Sequence, residues 1–491
     1  MVVTFLLVIL IAGFFAYRYV GPGSKRIESI AVMPFINESG NQDVEYLSDG
    51  MTETLISRLT EIPNLSVKAR STVFYYKGKE KTVREIGEEL KVEAVLLGRI
   101  AQRGESLTLN LELVDPKTLD AIWSETYDRK MSDIVSLQSE IARNVSDKLR
   151  LKLTTSEQRQ VAKTYTTNPE AQQLYLEGRF YWNKRNTEGF LKAKDYFQQA
   201  VALDPNYALA YAGLSDTYAL IPNYGPFRPL EYVPMAKQAA QRALELDPDL
   251  AEGHASLGQI LSLEYDWVEA ERELRKAIDL NPKYPSSHQW LAEVLDTKQK
   301  HDEAILQIDK ALELDSLSMV INRVKGNILV NAGKVDEAIV QLKKTVELFP
   351  DVSIVRGDLG YAYEVKGMYD EAVDQYITLA KMEGRPIENI KRAGAIYEKE
   401  GWRGFWTQVL EFSLENRRQI LEKDKNAYTN SYAIALLYAR LQDKDKTLDF
   451  LSMAYEARNP GLVNIKTVPL FDFLRDDPRF TDLLKRMNLS E

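Results

Sequence analysis

The feature of this sequence that most restricts its fold is an alanine that recurs every 34 residues. Ala270, Ala304, Ala338 and Ala372 stand 34 positions apart, each within a run of apolar residues at helical spacing. The runs share a large residue four positions later; three of the four have a small residue three positions after that, and two have a proline five positions further on. The same spacing occurs earlier, at Ala193, Phe197, Ala200 and Pro205, and at Ala236, Ala240, Ala243 and Pro248. Because a unit of this length cannot bury its apolar face alone, the sequence predicts an array of stacked helical repeats.

This pattern resembles the tetratricopeptide repeat (TPR), in which each unit is a pair of antiparallel helices. Small residues let the paired helices approach, a large residue fills the gap, and proline ends the second helix. The first helices agree: Leu257-Gly258 with Leu261, and Leu359-Gly360 with Tyr363. We therefore predict an all-α TPR solenoid over residues 168–456. A C-terminal cap over residues 457–491, preceded by a loop at Gly461, is expected because the last repeat would otherwise expose its apolar face.

The resemblance implies that the first helix of each repeat lines a concave groove that binds partner proteins or peptides. The positions that face this groove in the family give a mixed, mildly acidic set of candidate binding residues: Asp216, Gln259, Gln289, Glu293, Arg323, Asn327 and Tyr361. Only Arg323 and Asn327 echo the Lys/Asn/Arg clamp that holds a terminal carboxylate in some TPR proteins, so we do not expect acidic C-terminal tails to bind. The alternative is a solvated concave face without a ligand.

Residues 29–152 predict a small α/β domain with the order β-α-β-α-β-β-β-α. Leu107, Leu109, Leu111 and Leu113 alternate with polar residues, which is the period of a half-buried strand. Thr82-Val83-Arg84-Glu85 has the spacing of a capping box at the start of a helix. Asp49-Gly50 is expected to be a helix cap and turn, and the alternative is a ligand-binding loop.

Four blocks in this stretch resemble the TolB-like N-terminal domain of bacterial regulator and TPR proteins. They are residues 30–35 (IAVMPF), residues 46–53 (YLSDGMTE), residues 86–90 (IGEEL), and residues 122–125 (IWSE) with Tyr127. The resemblance implies an interaction module that is not catalytic.

The N-terminus predicts a membrane anchor. Residues 2–17 are apolar apart from Thr4, and a helix of about 20 such residues spans the hydrocarbon core of a bilayer. We expect an uncleaved transmembrane helix over residues 1–20 and a linker over 21–28. A cleaved signal peptide and a buried helix are the alternatives, although no basic residue precedes the run and no small-x-small cleavage site follows it.

The composition argues against catalysis, cofactors and metal sites. The chain has no cysteine and three histidines, so thiolate chemistry and cysteine metal sites are excluded. His254 and His288 stand 34 residues apart, which indicates a shared place in the solenoid rather than a metal pair. We find no nucleotide-binding, kinase or hydrolase motif, and predict no catalytic, cofactor-binding or metal-binding residue and no small-molecule substrate. A net charge of -9 makes nucleic acid an unfavourable partner.

Two hypotheses for the function follow. The first is a membrane-anchored scaffold or sensor that binds protein or peptide partners in the TPR groove and performs no catalysis. The second is the sensory part of a transmembrane regulator whose output domain, a kinase, an adenylate cyclase or a winged-helix DNA-binding domain, is lost or misannotated upstream of Met1. An enzyme within the α/β domain is a third possibility without a supporting motif.

The orientation in the membrane rests on two opposing arguments. Arg18, Lys25 and Arg26 follow the predicted helix, and the positive-inside rule then places the rest of the chain in the cytoplasm. The regulators that the chain resembles carry this part outside the inner membrane. We expect a single-pass inner-membrane protein with a periplasmic soluble part.

Overall fold

The structure is a computed structural model that describes residues 26–149 and 153–490. The transmembrane anchor predicted over residues 1–20, and most of the linker predicted over 21–28, lie outside the described residues. Among the helices within the described ranges, none combines the length and the apolar character that a bilayer span requires.

The N-terminal part is built on one six-stranded sheet and four helices. The strands are β1 (Ser29–Val32), β2 (Ile36–Asn37), β3 (Ser66–Val67), β4 (Ala94–Arg103), β5 (Ser106–Val114) and β6 (Ala121–Lys130), and the helices are α1 (Glu45–Thr60), α2 (Arg70–Phe74), α3 (Val83–Leu90) and α4 (Ile134–Lys148). The strand order is β3-β1-β4-β5-β6, with β2 alongside β4. Strand β1 runs parallel to β3 and β4, whereas β4, β5 and β6 form an antiparallel meander. The mixed α/β character predicted from the sequence is confirmed, and β2 and α2 are additions to the predicted order.

The alternation in β5 determines which face of the sheet is covered. Its leucines Leu107 and Leu109 are fully buried in the core with residues of α1 and α4. The intervening side chains face away and hydrogen-bond across the meander: Thr108 Oγ1 donates to Asp128 at 2.8 Å, and Asn110 Oδ1 accepts from Thr126 Oγ1 at 2.7 Å. At β5, one face of the sheet therefore holds the core, and the other is polar.

The predicted helix cap at Asp49 is wrong, because α1 begins earlier, at Glu45. A short 3-10 turn capped by Asn41 leads directly into α1, so Asp49 and Gly50 lie inside the helix. Asp49 is buried there and pairs with Lys77 at 2.5 Å. The capping box at Thr82, in contrast, is present as predicted, at the start of α3.

The rest of the chain is helical. After α5 (Thr155–Val161), paired helices follow in order: α6 (Pro169–Trp182), α7 (Thr187–Leu203), α8 (Ala208–Leu220), α9 (Pro229–Leu246), α10 (Ala251–Leu263), α11 (Trp267–Leu280), α12 (Pro285–Thr297), α13 (His301–Leu314), α14 (Met319–Asn331), α15 (Val335–Leu348), α16 (Ser353–Lys366), α17 (Tyr369–Met382), α18 (Ile387–Lys423), α19 (Ser431–Arg440) and α20 (Lys444–Glu456). The C-terminal cap consists of two 3-10 helices, Pro460–Asn464 and Pro469–Leu474, and α21 (Pro478–Arg486). An array of helical repeats after the α/β part is confirmed.

The recurring small residues act as the sequence predicts. The four alanines that define the period are fully buried. Opposite them, glycines of the first helices lie under large side chains of the second, so that a Cβ on Gly258 would meet Leu274 Cγ at 2.6 Å. A Cβ on Gly326 would meet Leu342 at 2.5 Å. Close approach of the paired helices therefore depends on these positions.

A ladder of polar pairs runs along the array with the same period. Each pair joins a first-helix residue to a second-helix residue 19 positions ahead: His254 with Glu273, His288 with Gln307, Asn322 with Gln341, and Arg356 with Gln375. The first three also contact the carbonyl oxygen six residues earlier. The equivalent positions of the two histidines thus have a structural role. In the described part of the chain, no three histidine, aspartate or glutamate residues are arranged to hold a metal ion.

The array departs from regularity at α18, where the repeat pattern of the sequence weakens. Gly401 has a φ of 68° and a ψ of -160°, a non-helical conformation that favours glycine and kinks the helix.

The C-terminal cap covers more than the last repeat. It folds back onto the middle of the array, where Trp267 Nε1 donates to the carbonyl oxygen of Met487 at 2.7 Å. Thr297 Oγ1 donates to Asn464 at 2.9 Å, and Asn488 donates to the carbonyl oxygen of Tyr265 at 3.0 Å. The apolar residues of the cap share one buried cluster with α10 to α14. The cap therefore closes the curved array by contacts between its middle and its end.

The α/β domain and the array are joined by a close helix contact that can be tested directly. A Cβ on Gly50 of α1 would lie 2.9 Å from the Cβ of Leu176 on α6, closer than the spacing of about 3.5–4.5 Å in a disulfide, so the two helices must move apart slightly to form one. In a chain without cysteine, we expect Gly50→Cys with Leu176→Cys to form an intramolecular disulfide on mild oxidation. A shift in mobility on a non-reducing gel, reversed by reductant, measures it.

The matched control pairs Gly50→Cys with Leu174→Cys, since residues two positions apart on a helix point in different directions. If both pairs crosslink equally, or if the Gly50→Cys and Leu176→Cys pair does not crosslink, then α1 does not lie on α6 in solution.

Candidate binding chamber between the α/β domain and the repeats

A large cavity lies between the α/β domain and the first repeats. Its volume is about 1210 Å³, and it is bounded by α1, the segment 64–71, α6 and parts of the next first helices. Its lining combines charged and aromatic side chains, including Arg179, Trp182, Arg185, Asp216, Glu252 and Tyr284. The α/β domain thus covers part of the concave side of the array.

The structure divides the predicted groove residues between two places. Asp216 and Gln289 line the chamber, and both are buried. The other five lie outside its lining and are half-buried: Gln259, Glu293, Arg323, Asn327 and Tyr361.

Several of these groove residues already have partners within the chain. Gln289 donates to Glu293 at 2.9 Å. Arg323 and Asn327 both contact Asp358, at 3.3 Å and 3.4 Å, a carboxylate that the sequence analysis did not select. Their polar groups are therefore partly satisfied without a ligand.

A carboxylate on α1 ties the α/β domain to the array. Glu53 contacts Arg179 of α6 at 2.6 Å and Arg70 of α2 at 2.8 Å, and it accepts a hydrogen bond from Asn183 at 2.9 Å. Burial by itself raises the pKa of Glu53, but the charges of Arg179 and Arg70 and their hydrogen bonds lower it below the usual 4.5. Glu53 is therefore ionised and bridges two parts of the chain.

Further hydrogen bonds join the α/β domain to the array on the other side of the chamber. Lys283, at the start of the fourth repeat, donates to the carbonyl oxygens of Ile62 and Leu65 at 2.5 Å and 2.9 Å. Thr72 Oγ1 donates to Asp315 at 3.0 Å. These partners are more than 200 positions apart in the chain, so no local pattern could have identified them.

The chamber contains charged groups that are not neutralised by contact. Asp216 is buried, and burial raises its pKa to about 6, while a hydrogen bond from Ser256 and the charges of Arg179 and Arg185 oppose that shift. Burial likewise lowers the pKa of Arg185 to about 10, so this guanidinium remains charged at neutral pH. Its Cζ lies 3.7 Å from the ring centroid of Trp182. The site can thus present both signs of charge and an aromatic surface to a ligand.

Comparison with protein families identifies two parts of the chain. Residues 266–318 and 323–385 match the tetratricopeptide repeat, so the array contains TPRs. Residues 25–144 match the family described as HilA/YgeH-like transcriptional regulator, second domain. The family matched by the α/β domain therefore differs from the TolB-like domain that the sequence blocks indicated.

A curated relative and solved structures are similar over part of the chain. A putative adenylate cyclase 3 from Rhizobium meliloti (strain 1021) is 33% identical over 246 residues. The match covers 50% of this chain, and the chain spans 42% of that protein. TTC0263, a thermophilic TPR protein of Thermus thermophilus, is 20% identical, with a TM-score of 0.34 over 39% of this chain and 98% of that chain. Human IFIT1, in a dimer with m7Gppp-AAAA, is 14% identical, with a TM-score of 0.42 over 66% of this chain and 78% of that chain.

We predict that Glu53→Gln weakens the fold at neutral pH. Leaving a half-buried charged group without its partner costs about 1–3 kcal/mol, and here two arginines would be left without a counter-charge. Since the folded pKa of Glu53 is lowered, its stabilisation is present above the usual value of 4.5 and is lost as the pH falls through the folded value. The difference in free energy of unfolding between wild type and variant should therefore shrink in acid.

Chemical denaturation at a series of pH values measures this difference. Glu398→Gln, at an exposed position of α18, is the control and should match the wild type throughout. A Glu53→Gln variant as stable as the control at neutral pH would contradict the assigned bridge.

Proposed function

We propose that this chain is a protein-interaction scaffold or sensor that receives a segment of a partner protein or a peptide in the chamber. The observation that carries the proposal is a chamber of about 1210 Å³ on the concave side of TPRs, lined by charges of both signs and by aromatic rings. Binding sites are typically concave and largely apolar, with a few placed polar groups that set specificity. The net charge of -9 favours a protein partner over nucleic acid. We propose no catalytic role for the chain itself.

The relatives favour a second, compatible candidate, in which this chain is the sensory part of a regulator. One matched family is described as a transcriptional regulator, and one relative is named a putative adenylate cyclase. Both descriptions are of proteins with a regulatory output. In this candidate, occupation of the chamber controls an output domain of the adenylate cyclase, kinase or DNA-binding class.

A test of the proposed function is selection of random peptides displayed on phage against the full chain. Peptides that bind the chamber should lose affinity about tenfold when its lining carries a bulky side chain. Ser57 of α1 lines the chamber and is exposed, so Ser57→Trp adds this bulk without filling the core. Fluorescence anisotropy with a labelled selected peptide measures the affinity.

Ser124→Trp is the matched control, since Ser124 is an exposed serine of the same α/β domain, on the polar face of strand β6. It should leave the affinity unchanged. Equal affinities of the two tryptophan variants, or a failure to select any peptide, would refute peptide binding in the chamber.

We also propose that the N-terminal segment anchors the chain in the inner membrane, with the soluble part in the periplasm. This proposal is supported by the apolar character of residues 2–17 and by the regulators that the sequence resembles. In the structure, Gly461 is not in a loop suited to labelling, because it lies within the 3-10 helix Pro460–Asn464 and its Cβ would meet Tyr432 at 2.4 Å. Lys425, which is exposed between α18 and α19, is a better position for a cysteine.

We expect Lys425→Cys to react with a membrane-impermeant maleimide in intact cells. The wild type, which has no cysteine, is the unlabelled control. Labelling that requires lysis would place the array in the cytoplasm and contradict the proposed orientation.

A further inference from the structure

Arg185 is a cation in the chamber without a contacting counter-charge. It follows α6, and its guanidinium stacks on Trp182 at 3.7 Å. Among the residues that the structure describes, none forms an ion pair or a hydrogen bond with this guanidinium. A half-buried guanidinium is poorly solvated, so an anion placed there would gain charge-assisted hydrogen bonds. Arg179, three residues before Trp182, differs because Glu53 neutralises it.

Trp182 provides the surface beside this cation. The ring is 7% exposed and lines the chamber, and its Nε1 has no hydrogen-bond partner in the described structure. Arg179 and Arg185 lie 4.6 Å and 3.7 Å from its ring centroid. The aromatic surface and the uncompensated charge therefore occur together.

Two carboxylates of the same chamber also lack a contacting cation. Asp216 on α8 accepts a hydrogen bond from Ser256, and Glu252 on α10 lies near it. Within the described ranges, neither carboxylate comes within ion-pair distance of a lysine or arginine. Asp216 and Arg185 influence one another through space, as each alters the pKa of the other, but they do not touch. Opposite charges that share a chamber without pairing leave a gap that a ligand can bridge.

We propose that the chamber binds a short peptide with free termini, whose carboxylate contacts Arg185 and whose ammonium group contacts Asp216 and Glu252. This inference rests on the proposed function and specifies the ligand. A zwitterion satisfies both charges at once, whereas a nucleotide would bring several negative charges against two carboxylates. The volume of about 1210 Å³ exceeds the usual 300–1,000 Å³ of a small-molecule site, which favours a peptide of several residues over a single amino acid.

The experiment compares three mixed tripeptide libraries on the full chain: free at both ends, acetylated at the N-terminus, and amidated at the C-terminus. Titration calorimetry and the rise in Tm on binding measure the affinity. We expect the free library to bind about tenfold more tightly than either blocked library. Arg185→Gln should remove the preference for a free carboxylate only, and Asp216→Asn should reduce the preference for a free amine only.

Two exposed positions provide matched controls. Arg84→Gln on α3 and Asp482→Asn on α21 change the same charges outside the chamber and should keep both preferences. Retention of the carboxylate preference in Arg185→Gln would overturn the assignment, and circular dichroism confirms that each variant is folded.

Failure of this inference and failure of the proposed function give different results. The short zwitterionic ligand is refuted, and partner binding stands, if the blocked libraries bind wild type as tightly as the free one. The same conclusion follows if no tripeptide binds while Ser57→Trp still weakens the binding of display-selected peptides. If the display-selected peptides bind Ser57→Trp as tightly as they bind the wild type, the proposed function itself is refuted.

Discussion

Close contact between helices in this protein depends on residues that have little or no side chain. Gly258 and Gly326 lie under leucines of the partner helix, and the spacing between paired helices would increase if either carried a Cβ. The same device occurs where the α/β domain meets the array, with Gly50 of α1 against Leu176 of α6. A single packing rule therefore builds the repeats and also docks the α/β domain on them. The chamber exists because this docking places the sheet domain over the concave side.

The docking has an electrostatic consequence. Glu53 brings two arginines together at the domain boundary and neutralises Arg179, while Arg185 nearby keeps its charge. Burying charge costs free energy unless it is paired, so an unpaired guanidinium and unpaired carboxylates in one cavity are unusual for a purely structural interface. Such unpaired charges are more typical of a binding site, where a ligand supplies the missing partners.

Much of the repeat array could be predicted because its signals are local. The buried alanines, the glycines that face them and the equivalent histidines all recur at a fixed interval, and each contact lies within one repeat or between neighbours. The strand alternation of β5 and the capping box at Thr82 are local in the same way. The predicted start of α1 at Asp49 is wrong. Aspartate is a common N-cap residue, but here a 3-10 turn earlier in the chain leads into the helix at Glu45.

The repeat, its period, the mixed α/β domain and the absence of thiol chemistry could all be predicted from the amino-acid sequence, since each depends on residue types at short spacing. The position of the candidate binding chamber, in contrast, depends on how distant segments pack against each other. Lys283 reaches the carbonyl oxygens of Ile62 and Leu65, and Trp267 reaches Met487, across more than 200 positions of sequence. Which charges are paired, as in Glu53, and which are left over, as in Arg185, depends on such contacts between distant segments. A linear pattern contains the charges but not the distances between them.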